Sequence, residues 1–102
     1  MQEEEQKTGI PGFTIRPARP DEVPLVLRFI VELAEYEGVA HEVNATEELL
    51  RENLFGPKPS AEVLFGCFQG VPVGFALFFN NFSTFQGKPG IYLEDLYVRP
   101  EM

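Results

Sequence analysis

An α+β domain is what this 102-residue sequence predicts, in the order strand-helix-helix-strand-strand-strand with a mainly antiparallel sheet. Three observations carry that expectation. Apolar residues recur at helical spacing from Val23 to Ala34. Aromatic and β-branched runs after Ser60 follow one another across short turns, and consecutive strands joined that way form an antiparallel meander with the helices packed on it. A hydrophobic fraction of 44% with ten phenylalanines is ample for a core and argues against wholesale disorder.

Taken in order, residues 1–12 are polar, contain Gly9, Pro11 and Gly12, and read as a mobile leader. Residues 13–102 make one small domain. Phe13 to Arg16 is a short strand closed by Pro17 and Pro20. Asp21 suits the N-cap of the first helix, with Glu22 near its positive end and Pro24 in the first turn, where a missing N–H costs nothing. The helix runs to Glu37 and stops at Gly38. Val23, Val26, Leu27, Ile30, Leu33 and Ala34 form its core stripe, and Arg28 with Glu32 an exposed i, i+4 pair.

A loop with His41 precedes a second helix, capped by Thr46 or Asn44 and ending near Leu54, with Leu49, Leu50 and Leu54 as its apolar face. Gly56-Pro57-Lys58-Pro59-Ser60 breaks the chain. Ala61–Gln69 and Val73–Phe82 then read as a hairpin turning at Gly70-Val71-Pro72, and a loop from Ser83 to Pro89 leads to a last strand at 90–98. Phenylalanines of both parities in the hairpin predict that both faces of the sheet are covered, by a helix on one side and by a helix or a partner on the other.

Composition excludes several function classes. Eight basic against sixteen acidic residues give a net charge of −8, a field that repels nucleic acid and anionic membrane and attracts cations. Cys67 is the single cysteine, so no internal disulfide or cysteine cluster can form, and its apolar strand context predicts a buried structural thiol. His41 is the single histidine, which rules out a multi-histidine metal site. No signal-peptide h-region and no run of about 18 apolar residues occurs. The cytoplasm is the expected compartment, with no metal cofactor.

Gly90 to Glu101 carries most of the functional signal. Ile91 and Leu93 lie two apart, whereas Leu96 and Val98 fall on the opposite parity, with adjacent Glu94 and Asp95 between. One extra residue in the strand, a β-bulge, absorbs such a slip, and bulges are frequent beside active sites. Edge strands also carry solvated acids as a defence against pairing, so composition alone leaves both readings open.

Tyr92-Leu93-Glu94-Asp95-Leu96-Tyr97-Val98 resembles the fourth strand of the GNAT superfamily of N-acetyltransferases, in the branch of diamine (spermidine/spermine) and thialysine acetyltransferases. The likeness extends to Ile15-Arg16-Pro17-Ala18, Glu32-Leu33-Ala34-Glu35-Tyr36-Glu37 and Val73-Gly74-Phe75-Ala76, and so covers the chain from Phe13 onward in the family's order. It implies an enzyme that moves an acetyl group from acetyl-CoA to a primary amine. By that resemblance Glu94 is the general base, Tyr36, Glu37 and Asp95 contact the substrate, and the main chain of Leu96, Tyr97 and Val98 meets the acetyl carbonyl and the pantetheine arm. Asp95 points to the opposite face from Glu94 if the pleat is regular, or lies beside it if a bulge intervenes.

In the family, Val-Arg-Pro-Glu leads into a glycine-rich turn whose backbone N–H groups cradle the CoA pyrophosphate, and a later helix brings a tyrosine general acid. The sequence stops at Met102, before both, so the resemblance implies the N-terminal half of such a domain, inactive alone. Lys58, Lys88 and Arg99 read as surface cations, with contact to the CoA phosphates as the alternative. The expected partners are a small amine and either a second copy or a chain carrying the C-terminal half. The alternative is a non-catalytic half-domain that interacts through its exposed strand.

Overall fold

The computed structural model describes residues 5–101; residues 1–4 of the expected leader, and Met102, lie outside the described residues. Strands β1 (Gln6–Lys7) and β2 (Phe13–Pro17), helices α1 (Val23–Tyr36) and α2 (Glu47–Phe55), and strands β3 (Glu62–Phe68), β4 (Val71–Ser83) and β5 (Lys88–Val98) follow one another. All five strands form one antiparallel sheet in the order β1-β2-β3-β4-β5. This is the expected α+β architecture, with an added strand. Part of the segment read as leader pairs with β2, Gln6 opposite Ile15 and Lys7 opposite Thr14, while Glu5 accepts the Thr14 hydroxyl at 2.7 Å. No described helix is long and apolar enough to cross a membrane.

The β3–β4 turn differs from expectation. Phe68 pairs with Val71, leaving a two-residue loop of Gln69 and Gly70 at φ of 51° and 83°. Two positive φ values make a type I′ turn, whose twist matches the flanking strands. Val71 and Pro72 therefore belong to β4. Gly66 pairs with Gly74 and Cys67 with Pro72, so Val73 is an extra residue, and the proline without an N–H sits beside that bulge. The β4–β5 ladder also runs further than predicted, to Ser83 opposite Lys88. Beyond Glu62, which pairs with Phe78, the two strands continue as an arm without β3.

A short 3₁₀ turn, Pro20–Glu22, leads into α1, and Asp21 does not cap it. Glu22 takes the junction instead, accepting the Arg19 N–H at 2.9 Å and two Arg16 guanidinium bonds at 2.9 and 2.7 Å. Arg16 is buried, over the Phe65 ring, and a buried guanidinium requires such a bidentate partner. The same bonds hold the Glu22 carboxyl below its usual range. At its other end α1 stops at Gly38, φ 77°, where the Gly38 and Val39 N–H groups bond the Glu35 and Ala34 carbonyls. That pattern fixes where Tyr36 and Glu37 stand. Thr46 caps α2 by accepting the Leu49 N–H at 3.1 Å. Leu50 and Leu54 of α2 are buried, but Leu49 is exposed.

The core lies between the helices and one face of the sheet, built from Val23, Val26, Phe29, Leu50, Leu54, Val63, Phe65, Cys67, Phe75 and Tyr97. Phe29 is its centre, with ring centroids 5.8 Å from Phe65, 5.9 Å from Phe75 and 6.2 Å from Tyr97. Cys67 is buried, and desolvation pushes its thiol up, in keeping with a structural role. The helices cover one face of the sheet, and among the described residues no helix covers the other. On the face away from the helices, Phe13, Ile15, Leu64, Ala76, Leu96 and Val98 line an apolar groove of about 220 Å³.

Candidate active site

The slip in β5 is a bulge. Leu77 pairs with Asp95 and Phe78 with Leu93, which leaves Glu94 as the extra residue and sets two carboxylates against one β4 position. A regular pleat would have separated them. Asp95 shares the face of Tyr97, toward the helices, and is half-buried, whereas Glu94 is exposed. Burial, then the charges of Glu94 and Glu37, push the Asp95 carboxyl above its ordinary value. The sheet and the end of α1 therefore bring three acids into one field.

A raised carboxyl pKa is a stability cost at neutral pH. The folded chain holds the Asp95 proton more tightly than the unfolded chain, so the penalty is absent below the unfolded value and fully present above the folded one. Asp95→Asn is accordingly expected to raise the thermal midpoint at about pH 7 and to leave it nearly unchanged near pH 3. Melts at the two pH values check this, and a midpoint that falls at neutral pH contradicts it.

Tyr36 and Glu37, both exposed at the end of α1, line a cleft of about 300 Å³ with Leu33, Leu96, Tyr97, Val98 and Pro100. Alternate side chains of a strand point to opposite faces, so three successive residues border one cleft only along the strand's edge. That edge of β5 has no partner strand among the described residues. Five of the seven residues singled out in the sequence thus meet here. Glu94 and Asp95 do not line the cleft; Asp95 is tied to it electrostatically through Glu37.

Three residues position the cleft, and the sequence reading missed their role. Glu32 does not serve an exposed pair with Arg28. It accepts the Tyr97 hydroxyl at 3.1 Å and the Arg99 Nε and Nη2 groups at 3.1 and 3.0 Å. Arg99, read as a surface cation, is three-quarters buried and lies 4.9 Å from the Phe29 ring centre, with its N–H on the Val73 carbonyl at 2.9 Å. These bonds push the Glu32 carboxyl down, Arg99 chiefly and Tyr97 next. The Tyr97 ring is thereby committed to the core, so only its main chain is open to a ligand. Phe29 had a local signal, standing three residues after Val26. The Glu32–Arg99 pair had none, since its members are far apart in sequence. Gly74 permits the close approach of β4 and β5: a Cβ there would meet the Tyr97 carbonyl oxygen and, at 2.9 Å, Val98 Cα.

No protein-family model matches the chain. It is 39% identical over 95 residues to the thialysine N-epsilon-acetyltransferase of Bos taurus, a match that covers 85% of this chain and 55% of that protein. It is 34% identical over 104 residues to spermidine/spermine N(1)-acetyltransferase-like protein 1 of Homo sapiens, covering 91% of this chain and 14% of that one. Among solved structures, an aminoglycoside acetyltransferase from an uncultured soil metagenomic sample matches with a TM-score of 0.68 at 16% identity, over 88% of this chain and 58% of that chain. The ribosomal-protein-alanine N-acetyltransferase of Brucella melitensis matches with a TM-score of 0.66 at 18% identity, over 88% and 59%. The resemblance to N-acetyltransferases therefore stands, and the fold is that of about half a GNAT acetyltransferase. The chain spans about half the length of the thialysine acetyltransferases it matches.

Proposed function

We propose that this chain is part of a cytoplasmic N-acetyltransferase that moves the acetyl group of acetyl-CoA to a primary amine of the polyamine or thialysine kind. The observation that supports it best is the β5 bulge, which sets Glu94 and Asp95 side by side in a field shared with Glu37. An alkylammonium suits three clustered carboxylates, because its charge relieves their mutual repulsion. In this reading Glu94 accepts the proton that the ammonium must lose before nitrogen can attack. Asp95 and Glu37 hold the remaining positive charge, and the exposed Tyr36 borders the substrate.

Acetyl-CoA supplies the activated acetyl group as a thioester. The unpaired edge of β5 at Leu96, Tyr97 and Val98 would hold it, since backbone N–H groups outside a ladder are preorganised donors for a carbonyl or an oxyanion. The clamp of Glu32, Tyr97 and Arg99 keeps that edge at a fixed distance from α1. Turnover is assigned to a longer polypeptide, because the chain spans about 55% of the relatives named for the activity.

The acceptor role is tested by kinetics on a chain extended to the relatives' length. Asp95→Asn combined with Glu37→Gln is expected to raise KM for a diamine more than for a monoamine, with little change in kcat, as follows when uniform binding is removed. Equal effects on both substrates would sink the assignment of a cationic tail to these acids.

A second reading is favoured by the sheet face and the β5 edge that no described residue pairs or covers, where Leu96 is 63% and Val98 47% exposed. Such an edge recruits another chain. The half-domain then serves as an interaction module, pairing with a second copy or with a chain that supplies the rest of the fold, and the two-copy form would be two-fold symmetric. Light scattering on the purified 102-residue chain is expected to show a mass above the monomer. A sharp monomer at tens of micromolar, with no bound partner, refutes this reading.

A further inference from the structure

Past the bulge the pleat resumes, and Tyr92 stands opposite Phe79, as Asp95 stands opposite Leu77. Leu77 and Phe79 are two residues apart on β4, so Tyr92 and Asp95 share the helix-side face of the sheet, separated by about 7 Å along the strands. The Tyr92 ring stacks on Phe79 with centroids 5.0 Å apart and planes 27° apart, yet Tyr92 remains 51% exposed. Stacking covers one face of the ring and leaves the other to solvent. No described residue hydrogen-bonds the phenol. On the far side, Phe79 lines a cavity of about 570 Å³ with Leu54, Pro59, Ser60, Ala61, Glu62 and Asn80.

A cross-strand aromatic pair stabilises a hairpin without any ligand. That role needs a large ring but has no preference for cations. The position of Tyr92 beside an acid cluster adds such a preference, because the face of an aromatic ring is electron-rich and attracts an ammonium. We infer that Tyr92, braced by Phe79, is a specificity-determining residue of the acceptor site, whose free ring face, beside Asp95, helps to carry the distal alkylammonium of an elongated aliphatic amine while the reacting end lies at Glu94. This rests on the acceptor-site reading above. It adds to that reading a residue that favours an amine with a second positive charge over one without.

The test uses the 102-residue chain itself, titrated with diaminobutane and, as the probe lacking the second ammonium, with aminobutanol. NMR follows the Tyr92 ring and gives both affinities. Diaminobutane is expected to shift the ring resonances. Tyr92→Leu is expected to weaken diaminobutane about two- to fivefold, Tyr92→Phe to preserve the affinity and Tyr92→Trp to strengthen it, with aminobutanol nearly indifferent to all three. If the leucine variant loses the hairpin, seen as lost contacts between strands at Phe79, the phenylalanine and tryptophan variants carry the comparison. An unchanged diaminobutane affinity in the Tyr92 variants, with a loss in Asp95→Asn, overturns the inference and leaves the acceptor site standing. No binding by the parent chain, or no loss in Asp95→Asn and Glu37→Gln, overturns the acceptor-site reading and the inference with it.

Discussion

Glu94→Gln, in a chain extended to the relatives' length, is expected to lower the rate of amine acetylation by about 10²–10⁴-fold while acetyl-CoA affinity stays almost intact, the loss associated with removing a general base. The asymmetry follows from place. Glu94 is the extra residue of the β5 bulge, outside the cleft that Leu96, Tyr97 and Val98 border. Glutamine keeps the length and shape of the side chain and removes only its basicity and charge. The ladder on either side of the bulge is backbone-made, so the fold should survive the change. The deficit should also be steepest where proton removal limits the rate and should shrink as the amine becomes self-deprotonated at high pH. Rates measured between about pH 6 and 9 check both features. An unchanged rate across that range would falsify the base assignment and return Glu94 to the role of a solvated edge charge.

What the sequence disclosed and what it withheld divide along the range of the interactions. The bulge was legible because a two-residue period leaves a parity record: Ile91 and Leu93 on one phase, Leu96 and Val98 on the other. Gly38 as the stop of α1 and Thr46 as the cap of α2 were legible because caps act within a few residues. Asp21 failed as a cap for a tertiary reason. Buried Arg16 required a carboxylate and took Glu22, so the junction was organised by a strand residue rather than by helix chemistry. The start of β4 was placed two residues late because Pro72 reads as a turn signal, whereas beside the Val73 bulge its missing N–H is harmless. Arg99 and Glu32 looked like surface charges, since nothing near either in sequence marks the other. Phenylalanine parity made the apolar second face legible, but it reports which residues are apolar, not what covers them. Positions of the candidate site residues were therefore partly readable, but the clamp that fixes them was not.

Phe29→Ala is expected to destabilise the chain by about 3–5 kcal/mol, the range for truncating a fully buried aromatic residue. For a small domain whose total stability is about 5–15 kcal/mol, that is a third of the fold or more. Phe29 has no exposed surface and touches the Phe65, Phe75 and Tyr97 rings, one from each of β3, β4 and β5. Its removal leaves a void at a point where α1 contacts three strands, between rigid elements on both sides. The Arg99 guanidinium, 4.9 Å from the ring centre, loses an aromatic face as well, which loosens its grip on Glu32 and so the link between β5 and α1. The loss should therefore exceed that of an equally buried but smaller side chain such as Val26. Urea unfolding of the parent, Phe29→Ala and Phe29→Leu chains measures it, the leucine variant retaining enough volume to keep a folded baseline. A loss below about 1 kcal/mol for alanine would mean that the core collapses to fill the site and that α1 is held chiefly by the Glu22 and Glu32 ion pairs.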